Sequence, residues 1–474
     1  MSTKAIKVAI LVLIPLIMWF VTPPEGLSVE AWRLLGFYLA AIVGLILKPW
    51  GAPLVLLFTL AGSSLFLSNA KSVLVGYAST TTWLVFSAFA LSIAFVKTGL
   101  GRRIAYHLIG AFGHTTLGLG YVTAALEFII SPVTPSNTAR CGGIVFPIIQ
   151  SIAKALGSEP GATAKKCGEY LSANAYFVTK TTSFIFATAM APNLLAADYM
   201  NKLLGVDLNW GLWAMAMIVP GLILLVIVPA VGYATYRPEL KKLDNKKIAA
   251  EGLEELGPMK ATEKILVAIF ILALLGWAMP SILEQGFGIK FSLNATAVAI
   301  VAMVLALVTK VIDWKDVLES KGAWNTFIWF GGIIGLSSAL SKAKFFEWLA
   351  QFMSANLNFG SNALMALVSI GALSILVRYL FASGSAYVVA MLPVFLTVGK
   401  VAGVEPMALA LVLAATNAYG GMVTHYGGAA GPIIFGAGYN GIGKWWTTGG
   451  ILAVVSFIVT IVVGYAWWSV TGII

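Results

Sequence analysis

Apolar runs of about 20 residues recur along nearly the whole chain, and charge collects in the gaps between them. Such runs enter a bilayer, where no water is available to backbone N–H and C=O groups, so each must close its own hydrogen bonds as a helix. The composition agrees, with 59% hydrophobic and 10% charged residues among 474. A soluble globule is excluded, and an all-α polytopic membrane protein of about eleven spans is expected. The net charge of +11 would suggest nucleic acid in a soluble protein. Here the basic residues fall mostly in short loops, so they report topology and anionic headgroups, and no nucleic-acid partner is expected. Cys141 and Cys167 are too few for a disulfide framework or a zinc site. Neither a cofactor nor a metal is expected.

Lys4 and Lys7 place the N-terminus on the cytoplasmic side, and the apolar run after them lacks a small-residue cleavage site, so it reads as a retained first span. Spans are predicted at roughly 8–22, 33–47, 52–68 and 81–98, followed by an interfacial helix at 104–113. A re-entrant hairpin is predicted over about 116–153 and a broken span over 171–196, with Lys180 at its centre. Span six, at about 209–235, leads into a long, basic, helix-prone loop at 236–264. Further spans follow at about 264–282, 294–312 and 323–341, then an amphipathic surface helix in SKAKFFEWLAQFM. A second interrupted region at about 361–399, a second broken span at 406–439 and a last span at 446–469 leave the C-terminus outside. Of 30 Lys and Arg, this arrangement puts 20 inside, 7 outside and 3 (Arg140, Lys180, Arg378) in the membrane. The expected organisation is scaffold spans in 1–115, a transport unit in 116–208, mostly scaffold in 209–360, a second transport unit in 361–445 and the last span in 446–474.

Within Glu127–Pro147 the apolar pattern gives way to Pro132, Pro135, Ser136, Asn137, Thr138, Arg140 and Gly142-Gly143. Proline removes a backbone donor, and irregular backbone at membrane depth survives only inside protein or along a wet cavity. Ser136-Asn137-Thr138 is therefore read as a hairpin tip that offers hydroxyls, an amide and free N–H groups to a ligand. On its own, such a tripeptide is more commonly a polar turn. A second copy raises its weight: SNTARCGGIVFP at 136–147 matches SGSAYVVAMLP at 383–393, an offset of 247 (383 − 136). Asn174-Ala175-Tyr176 with Val178-Thr179-Lys180 matches Asn417-Ala418-Tyr419 with Val423-Thr424-His425, an offset of 245 (425 − 180) at its end. Five predicted spans separate the hairpins, so the second enters from the opposite side. That is the inverted repeat of secondary transporters, which bind substrate near the midplane.

Half-helix N-termini converging there favour an anion. Lys180 and His425 add to this, and a charge at a span centre costs about 2.5–3.5 kcal/mol on insertion scales, so each needs a partner. Glu127 is the only acid within these cores. Two positive positions related by pseudosymmetry suit a substrate with two carboxylates. Snorkelling of Lys180 is disfavoured by apolar sequence on both sides. A lone histidine is usually a neutral core residue, and only the pairing with Lys180 lifts His425 above that. Arg140 either reaches the pocket or pairs with Glu127 or helix carbonyls. Arg378 is expected to pack the second hairpin rather than touch ligand. His107 and His114 lie at an inner interface. Trp445, Trp446, Trp467 and Trp468 read as interface belts.

At SPVTPSNTAR, SGSAY and the NAY…VT-basic segments the chain resembles the divalent-anion:sodium symporter family over almost its whole length. Its exchanger branch, the 2-oxoglutarate/malate translocators and citrate or tartrate/succinate antiporters, is the most similar. The resemblance implies a homodimer built through scaffold domains, an elevator-type transport domain in an inner or plasma membrane, and hairpin tips that bind carboxylates beside sodium sites. It assigns substrate contacts to Ser136, Asn137, Thr138, Ser383, Gly384 and Ser385. Lys180, Thr181 and His425 join them at the broken spans, with Thr179, Thr182, Thr424, Gly427 and Arg140 as further candidates. The chain departs from the family at Gly384 and Ser385, where the second tip has lost its Asn and Thr, and at Lys180 and His425, which would repel a bound Na⁺. The expectation is a Na⁺-independent exchanger of dicarboxylates in which Lys180 and His425 stand in for the coupling cations. The alternative is a Na⁺- or H⁺-coupled di- or tricarboxylate symporter, with His425 as the proton carrier. A membrane enzyme would want clustered His and carboxylates, which three scattered histidines do not supply. A channel would not need broken helices with fixed central charge.

Overall fold

The computed structural model describes residues 3–67, 69–356 and 362–474. Among these, every regular element is helical, and the isolated pairing of Thr115 with Lys242 is the one strand-like contact. The all-α polytopic class expected from the sequence is what forms. Among the described residues eight helices are long and apolar enough to cross a membrane, and Ala52–Leu67, Ala295–Val308, Ala363–Arg378 and Pro406–Met422 are shorter apolar helices. Thr3–Phe20 buries only 11% of its apolar window, as a lipid-facing helix should, while Thr116–Val133 buries 67% because it packs inside the bundle.

Small residues set the closest approaches. The long helix Lys321–Lys342 lies against a short segment at Ala70–Ala78 that the sequence reading left unassigned. A Cβ on Gly335 would overlap the Val73 carbonyl, and one on Gly76 would overlap that of Gly331. Without side chains between them, backbones meet directly, the usual way of packing helices where no water drives association.

The first hairpin descends as Thr116–Ile130, its start capped by Thr115 Oγ1, which accepts the Gly118 N–H at 2.9 Å. Pro132 and Pro135 end the regular pattern. A 3₁₀ turn at Ser131–Val133 and extended Thr134 form the tip, and the chain returns as a π-helical stretch, Thr138–Val145, and a helix, Phe146–Ala155. The second hairpin is Ala363–Arg378 and Gly384–Val401. Its predicted first residue, 361, lies outside the described residues.

The two broken spans differ from the expectation and from each other. Gly168–Ile185 runs unbroken through Lys180, and the break falls at Phe186–Met190 before Ala191–Leu204. The sequence FVTKTTSFI holds no glycine, and its hydroxyls bond back into the helix: Thr181 Oγ1 to Phe177 O at 3.1 Å and Ser183 Oγ to Thr179 O at 2.5 Å. In the second span, Pro406–Tyr419 gives way at once to GGMVTHYGGA, and a helix resumes only at Ala430–Gly436. Glycines make that stretch costly to hold helical. Tyr176 therefore sits nine residues (185 − 176) before its helix ends, whereas Tyr419 is the last residue of its own. The expectation that Lys180 and His425 hold one equivalent place is corrected. Lys180 is on a helix, and His425 is in an irregular link.

The basic loop is not a free tether. Leu243 N–H donates to His114 O at 3.0 Å, and Glu239 and Leu240 donate to Lys165 and Lys166 carbonyls at 3.1 and 2.9 Å. It thus straps both ends of the first hairpin. Its helix Asn245–Leu256 packs on the interfacial helix Leu100–Phe112, where Arg102 pairs with Glu255 at 2.8 Å and Arg103 with Glu263 at 2.5 Å. The surface helix forms at Phe345–Asn356. The last span is Ile442–Val470, with a π turn at Thr460–Gly464. Trp445 and Trp468 are not interface anchors, since both are fully buried. Trp445 packs on Tyr176 at 5.0 Å and Phe177 at 5.5 Å, and Trp468 Nε1 donates to Ala216 O at 2.8 Å.

Candidate functional site

Both hairpin tips meet the two broken spans in a closed ring of contacts. The Pro135 carbonyl at the first tip accepts the Ala191 N–H at 2.9 Å, just past the first break. The next residue, Pro192, lies 3.5 Å from where a Cβ on Gly384 would stand, at the second tip. On the other side of Gly384 is Arg378 Nη2, 3.4 Å from the same point. Arg378 Nη2 donates to Gly427 O at 2.7 Å, and Lys180 Nζ donates to that same oxygen at 3.1 Å. Three residues on from Lys180, Ser183 Oγ, whose single hydrogen lies between Thr179 O at 2.5 Å and Asn137 Oδ1 at 3.0 Å, closes the ring at the first tip.

Inside this ring the charges are unequal. Arg140 Nε donates to Glu127 Oε2 at 2.6 Å with both side chains fully buried. Its other nitrogens reach Thr134 O at 2.8 Å, Ala189 O at 2.6 Å and Asn137 Oδ1 at 3.1 Å. Thr179 and Thr182 spend their hydroxyls on Glu127, at 2.7 and 3.2 Å. Of the two roles open to Arg140 in the sequence, the geometry gives it the ion pair. It clamps the first tip to its break, and Thr179 and Thr182 orient the carboxylate.

Lys180 and Arg378 have no such acid. They are 4% and 2% exposed, and among the described residues neither makes an ion pair. One neutral carbonyl receives both. Two buried cations around one carbonyl are costly unless something anionic joins them. Sequence reasoning gave Arg378 a packing role, and the structure puts it at the centre instead. Its signal was available, because it lies five residues before Ser383 in an apolar stretch without an acid. The 247-residue offset carries Glu127 to Ser374 and Arg140 to Tyr387, whose hydroxyl donates to Ser374 O at 3.1 Å. The ion pair of the first repeat thus has a neutral counterpart in the second, and Arg378 is left over. Gly384, where the first tip has Asn137, brings the backbone of the second tip up to this guanidinium, since even a Cβ there would already stand 3.4 Å from Nη2.

His425 lies outside the pair of cations on Gly427 O: Trp446 Nε1 donates to His425 Nδ1 at 3.1 Å, and an indole N–H can only donate, so Nδ1 is used as an acceptor. Phe435 packs on the imidazole at 4.5 Å and Tyr426 at 5.2 Å. Asn137 Nδ2, Thr138 Oγ1 and Ser385 Oγ carry no hydrogen bond among the described residues. Ser136 and Ser383 hydroxyls cap their own tips, accepting Ala139 and Ala386 N–H at 3.2 and 3.3 Å. Thr181 bonds back to its helix, and the Thr424 carbonyl accepts Tyr176 Oη at 3.2 Å. No cluster of three His, Cys, Asp or Glu suited to a metal occurs among the described residues.

Residues 2–474 match the family described as the sodium:sulfate symporter transmembrane region. The chain belongs to the sodium:sulfate symporter family. This is a family of transporters, not enzymes, and the chain is accordingly a multi-pass membrane protein. It is 54% identical to the inner membrane protein YbhI of Escherichia coli over 99% of this chain and 98% of that one. It is 36% identical to dicarboxylate transporter 1, chloroplastic, of Arabidopsis thaliana over 97% of this chain and 82% of the relative. The citrate/succinate antiporter of Escherichia coli is 33% identical, with 96% of each chain covered. The solved YdaH transporter of Alcanivorax borkumensis shares the fold at a TM-score of 0.54 and 11% identity, covering 98% of this chain and 97% of its own.

Proposed function

We propose that the chain exchanges small dicarboxylates across the membrane without Na⁺, and that Lys180 and Arg378 are the fixed cations that hold the dianion between the hairpin tips. The observation that carries this reading is the convergence of those two buried cations on Gly427 O with no carboxylate beside them. A dianion brings one negative charge for each. Asn137 Nδ2, Thr138 Oγ1 and Ser385 Oγ supply donors that orient it. Two resident cations also occupy the electrostatic place of coupling cations, since a Na⁺ brought beside them would be repelled. Relatives named for dicarboxylates and for citrate/succinate antiport support the substrate class and the exchange mode. The elevator movement, the homodimer through the scaffold helices and the cytoplasmic N-terminus belong to the same proposal. Proton-coupled symport through His425 is disfavoured by the indole N–H that its Nδ1 accepts.

The test is exchange in proteoliposomes. Radiolabelled succinate, malate or 2-oxoglutarate should enter vesicles loaded with unlabelled dicarboxylate at the same rate in Na⁺ and in K⁺. Uptake that needs an inward Na⁺ gradient and ignores the internal anion would overturn the reading.

A further inference from the structure

The second tip faces two ways. Gly384 stands against Arg378, while its neighbours Ser383 and Ser385 line a cavity of about 170 Å³ to which Arg378 does not contribute. The far wall of that cavity belongs to other helices: Lys48 and Trp50 from the turn after Val29–Leu47, Ala52 from the start of the next helix, and Trp329. Lys48 has a left-handed backbone, φ 50°, at the C-cap of its helix, where glycine is the usual residue. Its ammonium makes no ion pair or hydrogen bond among the described residues. A free cation and two hydroxyl-bearing serines therefore share one cavity, whose remaining walls are apolar.

We infer that this cavity is an access site for the carboxylate substrate, with Lys48 as the docking cation that passes the anion to Ser383 and Ser385. The inference rests on the dicarboxylate reading above. Its size argues for a small anion in transit, because sites that hold larger ligands run to about 300–1,000 Å³. Low-dielectric walls around one charge focus its field and raise the local concentration of an oppositely charged solute. Lys48 differs from Lys180 and Arg378 in being exposed, so its pull is screened by salt, whereas theirs is not. The positions form a sequence: Lys48 at the mouth, the serines at the tip, Arg378 behind Gly384, and Lys180 across Gly427 O.

The experiment compares wild type, Lys48→Gln and Lys48→Arg in dicarboxylate exchange at low and high ionic strength. Lys48→Gln should raise KM about tenfold at low salt, change maximal exchange less than twofold and flatten the rise of KM with salt, while Lys48→Arg restores all three. A purely structural helix cap would shift stability and maximal rate rather than the salt dependence of KM. A second readout needs no transport. The thiol introduced by Ala52→Cys should react with a maleimide more slowly in the presence of succinate, and adding Lys48→Gln should abolish that protection; Cys141 and Cys167 are buried and give a low background. Wild-type exchange with an unchanged KM and salt slope in Lys48→Gln, or succinate protection that survives it, would overturn the access site alone. Absence of dicarboxylate exchange and protection in every form would overturn the functional reading together with it.

Discussion

Arg140 and Arg378 are both buried guanidinium groups beside a hairpin tip, and what separates them is an acid. Arg140 has Glu127 at 2.6 Å, whereas among the described residues Arg378 has the carbonyl oxygens of Phe381 and Gly427 and the Tyr387 ring at 5.3 Å. The first is a fastening and the second is a demand for a ligand, so their removal should read out differently. Glu127→Gln leaves Arg140 buried and unpaired, which costs about 3–5 kcal/mol. It should lower the melting temperature of the purified protein sharply, and Glu127→Leu with Arg140→Met should recover part of that loss. Lys180→Gln and Arg378→Gln should instead melt near wild type and raise the KM for dicarboxylate roughly 30-fold or more, as truncating one partner of a buried charge contact does. His425→Gln should stay within about fivefold of wild type, because a side-chain amide can still accept the Trp446 N–H. Exchange assays on the three variants rank them, and a His425→Gln defect as deep as that of Arg378→Gln would put the second cation back on His425. At this scale the sequence picked out Lys180 from its depth and the Asn137 tip from its prolines, and the fold brings both into one ring of contacts. Arg378, read as packing the second hairpin, shares Gly427 O with Lys180, and His425 is held by Trp446; these partners are distant in the chain and carry no local signal.

Helix breaks were harder to place than helices. A proline-rich tip such as SPVTPS stops a helix by removing donors, and the turn falls at 131–134, just ahead of the expected tip at 136–138, where Thr138 already opens the returning helix. The break at Phe186–Met190 holds no proline of its own and is flanked only by Pro192 in the first turn of the next helix, while the polar TKTTS that seemed to announce it lies in an intact helix whose hydroxyls point at Glu127 or back along their own turn. The second break was legible from its glycines, and these also have a packing role. A Cβ on Gly428 would overlap Lys180 Nζ, and one on Gly421 would stand 3.0 Å from it. Gly428→Ala should displace the flexible end of Lys180 without moving backbone. Transport affinity should then fall at least tenfold while thermal stability stays within a few degrees. Gly335→Ala is the control from outside the site, because there the obstacle is the Val73 backbone carbonyl and nothing flexible can give way. That variant should lose folded protein, measured as the monodisperse fraction after detergent extraction, rather than affinity.

For the molecule as a whole, two uncompensated charges settle which movements are cheap. Insertion scales assign about 2.5–3.5 kcal/mol to one cation at mid-membrane, so an empty site bearing Lys180 and Arg378 carries roughly 5–7 kcal/mol that a bound dianion cancels. At about 1.4 kcal/mol per tenfold in rate, the empty carrier should cross some 10⁴-fold more slowly than the loaded one. The proposed obligatory exchange would then need no separate gate. The same arithmetic predicts what happens when the count of cations changes. Arg378→Gln leaves one charge, halves the penalty and should bring net efflux into anion-free medium to within about 100-fold of exchange. Its loaded state with a dianion would instead be negative, so the ratio of exchange to net movement should collapse from both directions. A monocarboxylate restores neutrality in that variant and should become the better exchange substrate, although it is the poorer one for wild type. Trans-stimulation measured with succinate and with a monocarboxylate, in wild type and Arg378→Gln, checks both predictions. A variant that still demands a dianion on the far side would mean that something other than these two charges enforces the exchange.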